Sequence, residues 1–98
     1  MSNMFYLIGY IVSELQINEI ENRKVSIITL AVTRSYQNEY GLYDTDFIDV
    51  ALFGDIAKNV KEFCKKGDLV GVAGRIEKLK DEEIKLIADK ANILSSAK

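Results

Sequence analysis

The chain has 98 residues, 48% hydrophobic and 29% charged, the composition of one small globular domain with no room for a second. It has no His and a single Cys, Cys64, which excludes Ser-His-Asp and Cys-His nucleophiles, His-ligated metals, an internal disulfide and a Cys-rich zinc site. Thirteen basic residues against fifteen acidic leave a net charge of −2, which argues against a grip on duplex DNA by bulk charge.

The first strand is expected at Met4–Val12, rich in aromatic and β-branched residues and interrupted by Gly9, a place for a bulge. Nine apolar residues are too few to span a membrane, and Met1–Met4 carries no basic leader. A second strand is expected at Lys24–Arg34 and a third at Asp46–Phe53, joined by an eleven-residue loop, Ser35–Thr45, that contains Gly41. Between Asp55 and Lys66 the period changes. Ile56, Ala57, Val60, Phe63 and Cys64 fall on one helical face. Asp55 suits the N-cap, Lys65 and Lys66 suit the last turn, and Gly67 suits a left-handed residue at the end. A fourth strand, Asp68–Leu79 with Gly71 and Gly74 inside it, turns tightly through Lys80–Glu83 into a fifth, Ile84–Leu94. Residues 1–94 then form one domain and 95–98 a short, frayed C-terminal end.

Five strands with one helix between the third and fourth is the order of an OB-fold, a small all-β Greek-key barrel plugged by its helix. Glycines inside strands mark the bends such a barrel needs. No repeat, low-complexity block or linker interrupts it.

The third strand carries the most chemistry. Alternation puts Ile48, Val50 and Leu52 on a core face and Phe47, Asp49, Ala51 and Phe53 on the other. Phe47 and Phe53, about 20 Å apart along the strand, are platforms on which two bases could stack. Packing under the long loop, or in a subunit interface, is the other reading of the same pair. Tyr36, Tyr40 and Tyr43 give the loop a large aromatic load, suited to stacking on single strands or to packing on the loop's own barrel. Lys58, Lys61 and Lys65 line one helix face, either as a basic edge or as a solvated one, and Arg34, Arg75, Lys78 and Lys80 sit on or beside strands where they could line a groove. Asp44, Asp46 and Asp49 lie close in sequence, but Asp46 and Asp49 point to opposite strand faces, which spoils a shared metal or acid–base site. Cys64 reads as a core residue, and an unpaired Cys suits a reducing cytoplasm.

Several segments together resemble the bacterial single-stranded DNA-binding proteins over nearly the whole length: Asn3–Gly9, Thr29–Tyr36, Asp46–Gly54, Ala57–Val60 and Lys65–Ile76. The resemblance implies an OB-fold that stacks bases on aromatics and holds phosphates with basic side chains, and that works in replication, repair and recombination. By position it assigns stacking to Tyr36, Phe47 and Phe53 and a phosphate contact to Lys66. Arg34 and Arg75 fall at commonly basic positions. It implies a homo-oligomer, tetramer rather than dimer, joined through first strands. Phe5, Leu7 and Tyr10–Ile11 are apolar enough for that, and no disulfide is needed.

Four departures qualify the resemblance. The stacking positions hold Tyr or Phe where the family often has Trp. The hairpin at Lys80–Glu83 is short and lacks the usual long basic loop. Asp55 stands at an often basic position. Finally, Ser95–Lys98 takes the place of the flexible acidic tail that recruits partner proteins, so tail-mediated recruitment is not expected. The expected protein is cytoplasmic and nucleoid-associated, binds single-stranded DNA with little sequence preference, and has no catalytic residues, metal, cofactor or membrane contact. Two alternatives stand beside it: a primosome-type accessory protein that bridges replication proteins, and an assembly module whose aromatics lie in protein interfaces.

Overall fold

A computed structural model describes residues 1–97. It contains β1 (Phe5–Ile11), β2 (Asn18–Ile20), β3 (Arg23–Gln37), β4 (Tyr43–Phe53), α1 (Gly54–Phe63), β5 (Leu69–Lys78) and β6 (Ile84–Ser95). The sheet runs β1-β5-β6-β4-β3-β2, and a further β1–β3 pairing closes five of these strands into a barrel. The two closing seams are short. One is antiparallel, Tyr10 with Ala31 and Ile11 with Leu30; the other is parallel, Val50 with Leu86 and Ala51 with Ile87. This is the OB-fold.

Side-chain alternation sets the core. Ile28 and Leu30 of β3, Val50 and Leu52 of β4 and Val70 and Val72 of β5 point inward and are fully buried. Helix α1 connects β4 to β5 and buries Ala57 and Val60 against the same core, with Ile56 and Cys64 partly covered. Of the opposite parity on β4, Phe47 and Asp49 stay outside and Phe53 is half-buried, but Ala51 is buried where β4 pairs with β6.

Five expectations need correction. Gly9 makes no bulge: β1 pairs with β5 in unbroken register from Phe5 to Tyr10. Glycine is required there because a Cβ would lie 2.6 Å from the Ala31 carbonyl oxygen. The bend comes instead at Gly74, beside a register shift between β5 and β6.

The loop expected over Ser35–Thr45 is mostly strand. β3 and β4 continue to a turn of five residues, Asn38–Leu42, where the Asn38 side-chain oxygen accepts the Tyr40 and Leu42 N–H groups at 2.8 and 3.0 Å. An Asn that satisfies two backbone donors closes a tight turn, and the hairpin can project past the barrel.

The helix is shorter at its end and differently capped. It stops at Phe63, because the Lys65 N–H donates to Asp68 Oδ2 at 2.9 Å and is lost to a further helical turn. Lys65 and Lys66 therefore lie beyond the last turn. Gly67 (φ +97°) belongs to the turn into β5, where its N–H donates to the Ile11 carbonyl. Asp55 lies inside the first turn while Phe53 holds the cap position without a side-chain bond.

A sixth strand, β2, was not foreseen. It pairs with β3 across a two-residue turn whose central residues, Glu21 and Asn22, have φ of 53° and 63°. Both angles lie in the left-handed region typical of tight hairpins, without the usual glycine.

Residues 95–97 are held rather than frayed: Ser95 pairs with Leu69, and the Ala97 N–H donates to Asp68 at 2.7 Å. Lys98, the last residue of the expected C-terminal segment, lies outside the described residues.

In β1, Phe5 and Ile11 are buried in the barrel's own core and Leu7 is half-buried. The apolar side chains that remain outside are Tyr6, Ile8 and Tyr10.

Candidate nucleic-acid interface

Two of the six sequence-derived candidates, Phe47 and Phe53, share the outward face of β4. Phe47 stands opposite Ala31 and is 69% exposed, an apolar ring left in water. Phe53 stands opposite Val25 at the far end of the same face and is half-buried. Asp49 lies between them and accepts the Thr29 hydroxyl at 2.6 Å. A strand running from one ring to the other therefore passes a carboxylate.

Tyr36 is 63% exposed, beyond a register shift in β3. Its ring centroid lies 5.9 Å from the Arg34 guanidinium. Arg34 itself bonds the neighbour of Phe47 that points the other way: its Nε and Nη2 donate to the two Asp46 oxygens at 2.9 and 3.0 Å, and Asp44 is 3.8 Å away. The structure thus brings Tyr36 to Arg34 and does not bring Arg34 onto the Phe47 face. The bidentate bond raises the Arg34 pKa further above its usual range and holds the Asp46 carboxyl below its ordinary value.

The other two basic candidates are also paired. Arg75 donates to Glu77 at 2.8 Å and to Asp89 at 2.5 Å, and these acceptors raise its pKa. Lys66 lies 3.8 Å from Glu14. Exposed pairs of this kind hold weakly, so a phosphate can take the carboxylate's place. Exchange returns less than a bare cation would, because an acid is left unpaired.

On the helix, Lys61 donates to the Leu15 carbonyl at 2.8 Å and Lys65 approaches Asp68 at 3.6 Å, while Lys58 is exposed. Asp44 and Asp46 serve Arg34 while Asp49 serves Thr29. Among the described residues no group of three or more His, Cys, Asp or Glu side chains is placed to hold a metal ion. Burial pushes the Cys64 thiol pKa up, with a smaller push from Asp68, so it is held as a thiol against the core.

Two residues outside the candidate set stand at the Phe53 ring. The Arg23 guanidinium carbon lies 4.5 Å from the ring centroid and the Lys85 Nζ 5.5 Å. They come from β3 and β6, 62 positions apart, so only the fold reveals the cluster. The one local sign was that each begins or nearly begins a strand.

With this face and barrel in view, the chain's likeness to known proteins becomes specific. Residues 2–88 match the single-strand binding protein family. The chain belongs to that family. It is 37% identical over 78 residues to single-stranded DNA-binding protein 2 of Staphylococcus aureus (strain COL), covering 79% of this chain and 56% of that protein. It is 35% identical to single-stranded DNA-binding protein B of Bacillus subtilis (strain 168), covering 79% and 69%. This chain thus spans about half the length of several curated relatives. The fold superposes on a mitochondrial single-stranded DNA-binding protein of S. cerevisiae with a TM-score of 0.80 and 21% identity, over 100% of each chain. No helix among the described residues is long and apolar enough to cross a membrane.

Proposed function

We propose that this family member binds single-stranded DNA, as its relatives' names state of them, does so with little sequence preference and without catalysis, and so serves replication, repair and recombination in the cytoplasm. The observation that carries the reading is the outward face of β4. Phe47 is exposed there although the same strand buries Val50 and Leu52 completely. A bare ring on a rigid strand offers a base a stacking surface at little conformational cost. Tyr36 and Phe53 extend the stacking set, and Arg34, Lys66 and Arg75 contact phosphate by exchanging their carboxylate partners. Titration of oligo-dT, followed by the fluorescence of the five Tyr, tests it: saturable binding is expected, and no binding at low salt overturns it.

The same reading includes a homo-oligomer, tetramer rather than dimer. Tyr6, Ile8 and Tyr10 form an exposed apolar stripe on β1, and residues 5–9 pair with β5 only, leaving one edge open. A symmetric β1–β1 contact would cover both. A mass of about 11 kDa in solution at micromolar concentration would contradict it.

A second reading, an accessory OB protein that bridges replication proteins, draws on the carboxylates paired to Arg34, Lys66 and Arg75. It expects weak binding to oligo-dT, nearly independent of salt.

A further inference from the structure

The cations around Phe53 differ from those the family pattern singles out. Arg34, Lys66 and Arg75 each have a carboxylate within 4 Å, whereas among the described residues Arg23 and Lys85 have none. Glu77, the register partner of Lys85 across β5–β6, turns its carboxylate to Arg75 at 2.8 Å instead. Arg23 and Lys85 lie at one ring. Arg23 emerges from the β2–β3 turn and sets its guanidinium over Phe53 at 4.5 Å, and Lys85 approaches at 5.5 Å from the start of β6.

We infer that Arg23, Lys85 and Phe53 form a nucleotide subsite in which Arg23 is itself the stacking surface and Lys85 takes the adjoining phosphate. The inference rests on the single-strand reading above and deepens it. A guanidinium is planar and weakly hydrated, so a base can stack on it while the Phe53 ring supports it from below. An ammonium is a compact charge with no plane, suited to phosphate and not to a base. A cation that must first leave a carboxylate gains less from phosphate than one that faces only a ring. The free pair should therefore carry more of the salt-dependent affinity than Arg34 and Arg75 do, despite the latter's better match to the family.

The experiment is oligo-dT titration at several salt concentrations with wild type and the variants R23Q, R23K, K85Q and R34Q, each checked for an unchanged melting temperature. R23Q is expected to lose about tenfold or more in affinity, on the scale of one stacked base. Both R23Q and K85Q should lower the salt slope by somewhat under one unit. R23K should keep the slope but lose affinity, because charge remains and the plane does not. R34Q should change the slope least. If R23Q and K85Q bind as wild type does while R34Q loses slope, the subsite is wrong and the function stands. If wild type itself fails to bind oligo-dT at low salt, the function falls and the subsite with it.

Discussion

The two ends of β4's outward face solve different problems. At one end Phe47 is a bare ring, and Arg34 is turned to the neighbouring Asp46 and tied to it and to Asp44. At the other end Phe53 is half-buried and lies beside Arg23 and Lys85, neither of them paired to an acid among the described residues. Stacking and charge are thus separated along a single strand. The lesson is that a basic residue near an aromatic is informative only once its carboxylate neighbours are known, since in a chain of net charge −2 the basic candidates Arg34, Lys66 and Arg75 each face a carboxylate of the same chain.

The inward residue beside Phe53 gives the largest effect. Leu52→Ala, at a fully buried position, should cost about 2–5 kcal/mol of stability, read by chemical denaturation. Phe47→Ala should leave stability within about 0.5 kcal/mol yet weaken oligo-dT binding by about 1–3 kcal/mol. If Phe47→Ala unfolds the protein and Leu52→Ala does not, the two faces have been exchanged.

The next effect is on acid stability. Asp68 accepts the Ala97 and Lys65 N–H groups, and these bonds hold its pKa below the ordinary carboxylate value. A depressed native pKa stabilises the fold above the unfolded value of about 4 and ceases to do so as pH falls through the native one. Asp68→Asn should therefore melt lower than wild type at neutral pH, and the gap should narrow below about pH 4. A gap that is constant with pH would mean the carboxylate's charge is not what the turn uses.

The smallest effect sharpens the contrast between the ends. Asp46→Asn frees Arg34 and should raise affinity for oligo-dT modestly at low salt. Asp49→Asn, which removes the carboxylate between the two rings, should act in the same direction. A loss of affinity in Asp46→Asn would show that Asp46 positions Arg34 for phosphate instead of competing with it.

Much of the fold was readable because it follows from side-chain period. Ile48-Val50-Leu52 against Phe47-Asp49-Phe53 is a plain alternation, and Ala57-Val60-Cys64 is a plain helical stripe, so element order and the OB-fold followed. What escaped depends on single side chains acting on backbone. Asn38 shortens a loop into a hairpin turn, Asp68 ends the helix early, and Glu21-Asn22 makes a tight turn without glycine. Phe47 was legible for the same reason as the core, as a residue the alternation leaves outside, while Tyr36 was reached as an aromatic of the expected loop and by the family resemblance. The state of the cations was not. Arg34 meets Asp46 across a strand pair, Arg75 meets Asp89 across another, and Arg23 meets Lys85 only over Phe53. Such contacts are set by register and closure, which no local pattern encodes.

The central claim is that an exposed ring on β4 makes this barrel a single-strand binder. Equilibrium titration of wild type and Phe47→Ala with oligo-dT across a salt series tests it most directly. Saturable wild-type binding is expected, with a log–log slope near −0.7 per phosphate neutralised, and Phe47→Ala should shift the whole line to weaker affinity with its slope unchanged. Coincident lines for the two proteins, or a flat wild-type line, would contradict it.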